Sequence, residues 1–333
     1  MMQLKYLFQL TRTLDSENFY ELLNRAKAKS KGEYLLHSGD DKYVDDALAS
    51  KGITIAYHDY SKKKIKLTVD PNWILDDDEP DHDTIAKSVR KLETYIGDYF
   101  KSKYELNDFK LSKMRLIMDI DAHKRRNVAA YLKVLKKIGK VKGFSPSCDS
   151  RLDKDMYFCL EGNSNGIEFM IYDLEKLAKD QLLEADAKPK KLKSIAEKME
   201  GILRTEVWLK VPKITRGFTI GTVASEQITG LLENSKKIFL EIFMRIIPFG
   251  DFYKKSKAVE IIAREVTDRR LRRKMLRLLA LVPERKSLLL AQKALGCRRI
   301  DDVMEMFFSI EVSPVTISKR HDFDKLVNLY KYL

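Results

Sequence analysis

The sequence predicts an α+β fold in which an N-terminal antiparallel sheet, flanked by helices, is followed by an all-α C-terminal domain. Strand-like alternation recurs along the first two thirds of the chain, helical periodicity separates the strands, and strand signals almost vanish after Pro212. With 333 residues and 44% apolar content, the chain is able to form more than one core. We therefore expect two domains, residues 1–220 and 221–333.

Alternating apolar and polar residues justify the strands of the first domain. They predict strands over 4–10, 53–57, 65–69, 114–121, 156–160, 167–172 and 202–210. Apolar residues three and four positions apart predict helices over about 84–104, 127–138, 174–183 and 192–199, and another after a cap at Asp15 or Ser16. The turn sequence Gly-Asn-Ser-Asn-Gly at 162–166 joins two of these strands as a hairpin.

The C-terminal domain is predicted to be helical from residue 225 onward. Its segment 253–286 carries twelve Lys or Arg and four Asp or Glu. Within that segment, apolar residues fall on one side of a predicted helix and cations on the other. We expect phosphate contact through Arg269, Arg270, Arg272, Arg273, Lys274 and Arg277. A solvated helix face is the alternative.

Composition limits the classes of function. The formal net charge of +14 favours an anionic partner, nucleic acid before membrane. Three cysteines without metal-ligand spacing argue against a disulfide framework and a zinc finger. No apolar run approaches the roughly 18–20 residues of a membrane span, and no Walker-type loop supports ATP hydrolysis or helicase activity. We expect a soluble, cytoplasmic protein.

Four stretches, in this order, carry a resemblance to a known family. They are 167–177 (IEFMIYDLEKL), 202–210 (ILRTEVWLK), 248–254 (PFGDFYK) with 258–262 and 274–279, and 312–317 (VSPVTI). The chain resembles the gene II replication initiators of filamentous phages and the related phage and plasmid replication proteins of Gram-positive bacteria. The resemblance implies a rolling-circle nuclease-like first domain that works in the cytoplasm of a bacterial host.

Such initiators nick one strand of a double-stranded origin. A tyrosine becomes joined to the 5′ phosphate and leaves a 3′ hydroxyl for a polymerase. By position, Tyr172 matches the nucleophilic tyrosine of the family. Glu168 shares a face of the predicted strand with Tyr172 and is the candidate base. Origin DNA, single-stranded or supercoiled, is the implied substrate, and a host helicase and polymerase are the implied further partners.

Two positions depart from the family pattern. Relatives usually carry a lysine two residues after the tyrosine, where this chain has Leu174. The wider nuclease class has a strand with two histidines flanking one apolar residue, but the corresponding strand here presents Lys64, Lys66 and Thr68 on one face. We assign Lys64 and Lys66 to DNA binding, so any metal ligands must be other residues.

A divalent cation, Mg²⁺ or Mn²⁺, is the expected cofactor. A phenol is a poor nucleophile at neutral pH unless it is helped, and a cation polarising the scissile phosphate supplies such help. Asp119, Asp121 and His123 occupy alternate positions at the end of a predicted strand, so their side chains share a face. Glu206 is a fourth candidate ligand. Solvated acidic residues at a strand exit are the alternative.

Arg204, Glu206 and Trp208 share one face of the strand 202–210. Arg204 either contacts DNA phosphate or forms a simple ion pair with Glu206. Trp208 either stacks a base or packs in the core.

Three hypotheses about function stay open at this point. The first is a strand-nicking initiator. The second is a non-catalytic DNA-binding protein of a mobile element that regulates or marks an origin, which Leu174 and the absent histidine pair favour. An RNA-binding protein without catalysis is the third.

Overall fold

The computed structural model describes residues 3–29, 32–35, 42–59, 63–75, 81–147, 153–184, 194, 197–214 and 221–333. In its N-terminal part, ten strands form one antiparallel sheet in the order β2-β3-β4-β5-β1-β6-β10-β9-β8-β7. The strands are β1 Lys5–Thr13, β2 Glu33–Leu35, β3 Lys42–Asp45, β4 Ile53–His58, β5 Lys64–Val69, β6 Lys110–Asp121, β7 Phe144–Pro146, β8 Tyr157–Gly162, β9 Ile167–Asp173 and β10 Ile202–Lys210. The predicted α+β fold class is confirmed.

Among the described residues, helices with both ends placed are interleaved with these strands, and a short one follows them. They are α1 Ser16–Lys29, α2 His82–Phe100, α3 Arg125–Leu135, α4 Leu174–Glu184 and α5 Val211–Ile214. In α2, residues such as Ile85, Val89 and Leu92 form a buried stripe, because positions three and four apart share a helix face. Asp81 caps this helix by accepting a hydrogen bond from the Thr84 amide at 2.8 Å.

The two faces of the sheet have different roles. On the core face, alternate strand residues such as Phe8, Leu10 and Leu116 are fully buried in one continuous apolar cluster with the helices. The other face, which we call the outer face, carries the intervening residues, including Lys113 and Arg115 of β6. The candidate site lies on the outer face, because its side chains have the opposite parity to the core residues.

The short strands β2, β3 and β7 were not predicted, and β6 begins four residues before its predicted start. The register between β1 and β6 shifts at Gln9/Leu10, and the Ser112 hydroxyl donates to the Gln9 carbonyl there at 2.9 Å. At this irregularity two consecutive residues, Ser112 and Lys113, are both half-buried, which interrupts the alternation of buried and exposed positions. The pattern therefore hides the first residues of the strand.

The C-terminal part is helical as far as Ser309, but residues 310–333 form no α-helix, so the prediction of helices to the end of the chain was wrong there. Its helices are α6 Ala224–Glu233, α7 Ser235–Ile246, α8 Lys255–Glu265, α9 Arg269–Arg285, α10 Leu288–Leu295 and α11 Ile300–Ser309, and a two-stranded ribbon pairs β11 Phe252–Tyr253 with β12 Lys325–Leu326. Helix α7 packs against the sheet, since the rings of Phe243 and Phe169 lie 6.1 Å apart.

The division into domains at residue 220 stays a prediction, because residues 215–220 lie outside the described part of the chain. Within the described residues, no helix combines the length and the apolar character that crossing a membrane requires.

Candidate active site and nucleic-acid interface

Three adjacent strands bring the candidate residues together. Arg204 of β10 lies opposite Asp119 of β6 on one side and opposite Tyr172 of β9 on the other. Directly opposed residues of antiparallel strands have Cβ atoms roughly 5 Å apart. The three side chains therefore form a row across the outer face.

Tyr172 is buried beside a carboxylate. Its side chain, 7% exposed, belongs to a small apolar cluster on the outer face with Tyr157, Met170 and Leu174. The phenolic hydroxyl donates a hydrogen bond of 2.6 Å to Oε1 of Glu206. Burial raises the pKa of Tyr172 above its ordinary value, and the negative charge of Glu206 raises it further, whereas Arg204 opposes both effects. The phenol is therefore neutral at physiological pH, with its proton directed at a carboxylate.

Glu206 contacts both aromatic residues of the site. One carboxylate oxygen accepts from Tyr172, and the other accepts from Nε1 of Trp208 at 2.5 Å. Nη1 of Arg115 lies 3.9 Å from that second oxygen. Only 3% of Glu206 is exposed, so its negative charge has little contact with water. The hydrogen-bond donors and the nearby Arg115 cation stabilise that charge instead.

Arg204 is held by Asp119. Its Nε and Nη2 donate to the two carboxylate oxygens of Asp119 at 2.6 and 2.8 Å, and Nζ of Lys5 lies 3.1 Å from the same carboxylate. Burial alone would raise the pKa of Asp119, but the hydrogen bonds and charges of Arg204 and Lys5 outweigh it and lower that pKa. The bidentate partner of Arg204 is thus Asp119, and the pairing of β10 with β9 places Arg204 directly opposite Tyr172.

The four predicted metal ligands do not converge. Asp121 and His123 form an exposed pair of their own, with Nδ1 of His123 3.3 Å from Oδ2 of Asp121. The oxygens of Asp119 and Glu206 are occupied by the donors described above. Across the described ranges, no group of three His, Cys, Asp or Glu residues is placed to hold a metal ion. In this arrangement the residues do not fit Mg²⁺ or Mn²⁺, and the cofactor stays a prediction from the sequence alone.

Glu168 is not brought to the phenol. It lies opposite Trp208, and its Oε1 is 3.7 Å from Sγ of Cys159. Glu168 and Tyr172 are four residue steps apart along the extended strand, about 13 Å at the usual rise per residue. Glu206 is therefore the carboxylate that meets the phenol. Only the register between β9 and β10 could have identified it, and the sequence pattern contains no signal for that register.

The predicted DNA-binding cations fall on two surfaces. Lys64 and Lys66 lie on the outer face of β5, where they are paired with Thr13 and Thr11 of β1. Arg204 lies on the same face in β10, and the remaining predicted cations lie on α9, which we call the basic helix. Several exposed cations of this helix make no salt bridge with any described residue. They are Arg269, Arg270, Arg273, Lys274 and Arg277. Arg272 is half-buried and donates to the Ala263 carbonyl at 3.2 Å.

Sequence reasoning missed two cations of β6. The guanidinium carbon of Arg115 lies 3.7 Å from the ring centroid of Trp208, and Nζ of Lys113 lies 5.5 Å from it. Both share the face of Asp119 by strand parity, which is the signal that could have identified them. Together with Trp208, these two cations place positive charge and an aromatic ring beside Glu206, the carboxylate that accepts from Tyr172.

No protein-family model matches the chain, and no curated protein matches it. A comparison with solved structures finds a rolling-circle replication initiator protein from Geobacillus stearothermophilus, with 10% sequence identity and a TM-score of 0.35. The match covers 96% of this chain and 100% of that chain. Similarity at this level carries no functional conclusion, so the function must be inferred from the side chains of this protein.

Proposed function

We propose that this protein is a replication initiator of the rolling-circle kind, in which Tyr172 attacks a DNA phosphate and cleaves one strand. The hydrogen bond from the Tyr172 phenol to the buried carboxylate of Glu206 carries the proposal. That contact gives the phenol a proton acceptor, and Arg204, directly opposite Tyr172 on the neighbouring strand, offers a planar cation suited to a phosphate.

In the proposed step, a bond forms between the phenolic oxygen of Tyr172 and phosphorus, and the bond between phosphorus and the 3′ oxygen breaks. The phenolic proton passes to Glu206, and the departing 3′ oxygen takes a proton from water. The products are a 5′-phosphotyrosine and a free 3′ hydroxyl. Reversal of the step by another 3′ hydroxyl rejoins the strand. Arg204 orients the phosphate and offsets its developing charge.

Burial of the phenol sets a condition on this chemistry. Leu174, at the start of α4, is buried against Tyr172, and Leu177 packs on the same cluster. Since only 7% of Tyr172 is exposed, a phosphate reaches the phenolic oxygen only when surrounding side chains move aside. DNA binding must therefore precede cleavage and contribute to uncovering Tyr172.

The test is covalent capture. The protein is incubated with supercoiled DNA bearing its origin and with the matching single strand, with Mg²⁺, with Mn²⁺ and with a chelator. We expect a protein–DNA adduct that is absent in Tyr172→Phe and retained in Tyr157→Phe, a matched control on the neighbouring strand of the same cluster. An adduct that persists in Tyr172→Phe contradicts the proposal.

The burial of Tyr172 and its raised pKa favour a second candidate, a DNA-binding protein that regulates or marks an origin without cutting it. Tight, metal-independent binding without any adduct supports that function instead. Both candidates take origin DNA as partner. A host helicase and polymerase stay predictions from the sequence.

A further inference from the structure

Arg115 and Trp208 form a stacked pair on the outer face of the sheet. The guanidinium carbon lies 3.7 Å from the indole centroid, within the range of a close cation–π contact. The side chain of Arg115 is 28% exposed, and that of Trp208 is partly exposed. A planar cation that rests on an indole and is open to solvent presents a surface on which another flat group can stack.

Cations crowd around this pair. The pKa of Lys113 is lowered by its burial and by the positive charges of Lys210 and Arg115. Lys210 is paired with Glu161 at 3.0 Å, whereas Lys113 makes no salt bridge with any described residue. Glu168 is the nearby carboxylate that favours the charged form of Lys113. The repulsion between Lys113 and its neighbours Lys210 and Arg115 would be reduced by an anion bound beside them.

The stacked pair is connected to the phenol through one side chain. The indole nitrogen of Trp208 and the hydroxyl of Tyr172 donate to the two oxygens of the same carboxylate, Glu206. A group that stacks on Arg115 therefore lies near the phenolic oxygen proposed to attack phosphate, because only the Glu206 carboxylate separates the indole from that oxygen.

We infer that the Arg115–Trp208 pair binds an unpaired base of single-stranded DNA, with Lys113 contacting an adjacent phosphate. A flat surface bordered by cations suits a single strand, whose bases are free to stack, better than a duplex, whose bases are not. This inference rests on the proposed function for its role, because it places the base beside the scissile phosphate. The binding itself does not require cleavage.

The chain offers a direct reporter for this site. It has two tryptophans, and Trp73 is 67% exposed, so Trp73→Phe leaves Trp208 as the single indole at small structural cost. In that background, titration with oligothymidylate of about ten nucleotides should quench Trp208 emission. The apparent affinity should fall as salt increases. A duplex of equal length should quench much less.

Variants separate stacking from charge. Arg115→Gln should weaken oligothymidylate binding about tenfold. Arg115→Lys keeps the positive charge but lacks the planar guanidinium, so it should bind more tightly than Arg115→Gln and more weakly than the wild type. Arg264→Gln in α8 is the matched control and should leave the quenching unchanged, because Arg264 is already paired with Glu265 at 2.6 Å. Thermal melting checks that each variant is folded. Unchanged affinity in both Arg115 variants overturns the inference.

Two further outcomes also decide it. If the fluorescence anisotropy of a labelled oligonucleotide shows binding while Trp208 emission stays constant, the strand lies elsewhere and the inference is wrong. Tyr172→Phe should abolish the covalent adduct and preserve the quenching. Failure of the nicking proposal and failure of the base-binding site are therefore distinguishable.

Discussion

Glu206 is the residue whose carboxylate contacts both the phenol and the indole of the site. Glu206→Gln keeps the size of the side chain but removes its capacity to accept a proton. We expect adduct formation to slow by about 10²–10⁴-fold, the usual contribution of a general base. Single-turnover assays of adduct formation measure the effect. Glu168→Gln is the control, and a loss that appears in Glu168→Gln and not in Glu206→Gln contradicts the assignment.

Asp119 makes the stability of the protein depend on pH. Its pKa is lowered below the ordinary value of 3.8 by Arg204 and Lys5, so its stabilising effect is present above about pH 4 and disappears as the pH falls through the lowered pKa. We expect Asp119→Asn to lose about 1–2 kcal/mol of unfolding free energy at pH 7, since the pair is partly screened by solvent. Urea unfolding at several pH values should show the difference shrinking below pH 4. Asp121→Asn, at an exposed pair, should change little.

Strand parity predicted more of the site than residue chemistry did. The alternation in 202–210 placed Arg204, Glu206 and Trp208 on one face, and the structure agrees. The sequence could not show which carboxylate meets Tyr172, because that depends on the register between two strands about thirty residues apart. Register is set by the whole sheet and by the turns, and no local pattern specifies it.

The basic helix is the element on which the second DNA surface depends. Asp268 caps it by accepting from the Arg270 amide at 2.7 Å, which fixes where the exposed arginines begin. The double variant Arg269→Gln/Arg273→Gln should weaken duplex binding and reduce the slope of log K against log salt by about 2, roughly one unit for each lost phosphate contact. Filter binding between low and moderate salt measures that slope.

Arg264→Gln is the control for that variant, because Arg264 is already paired with Glu265 at 2.6 Å. An equal loss of slope in the control means that the charge of the whole region, and not the basic helix, is responsible.

Long elements were predictable and short ones were not. Helix α2 and strand β10 have enough residues for their periodicity to be clear, and β10 was predicted at its observed bounds. Strands β2 and β7 have three residues each, too few for an alternation to be recognised. These strands lie at the two edges of the sheet, so the predicted set of strands lacks both edges.

At the scale of the whole molecule, Asn328 joins the last segment of the chain to the turn after α7. Its Nδ2 donates to the carbonyls of Pro248 and Gly250, and its Oδ1 accepts from the Tyr330 amide at 2.9 Å. Only 2% of the residue is exposed. Asn328→Ala leaves these buried groups without partners, so we expect a loss of about 1–3 kcal/mol of unfolding free energy.

Urea unfolding monitored by circular dichroism tests this prediction. Asn234→Ala is the control, because Asn234 is exposed and its hydrogen bond to the Gly230 carbonyl is replaceable by water. Equal midpoints for wild type and Asn328→Ala would show that the last segment does not contribute to the cooperative unit.

The three strands that carry Asp119, Arg204 and Tyr172 lie in the interior of the sheet, with paired neighbours on both sides. Amide hydrogens in such strands exchange with deuterium last, when the sheet separates as a unit. Momentary fraying of β2 or β7 therefore leaves the guanidinium and the phenol in register. The protein can lose order at its margins during encounter with a long polymer and still keep its reactive groups aligned.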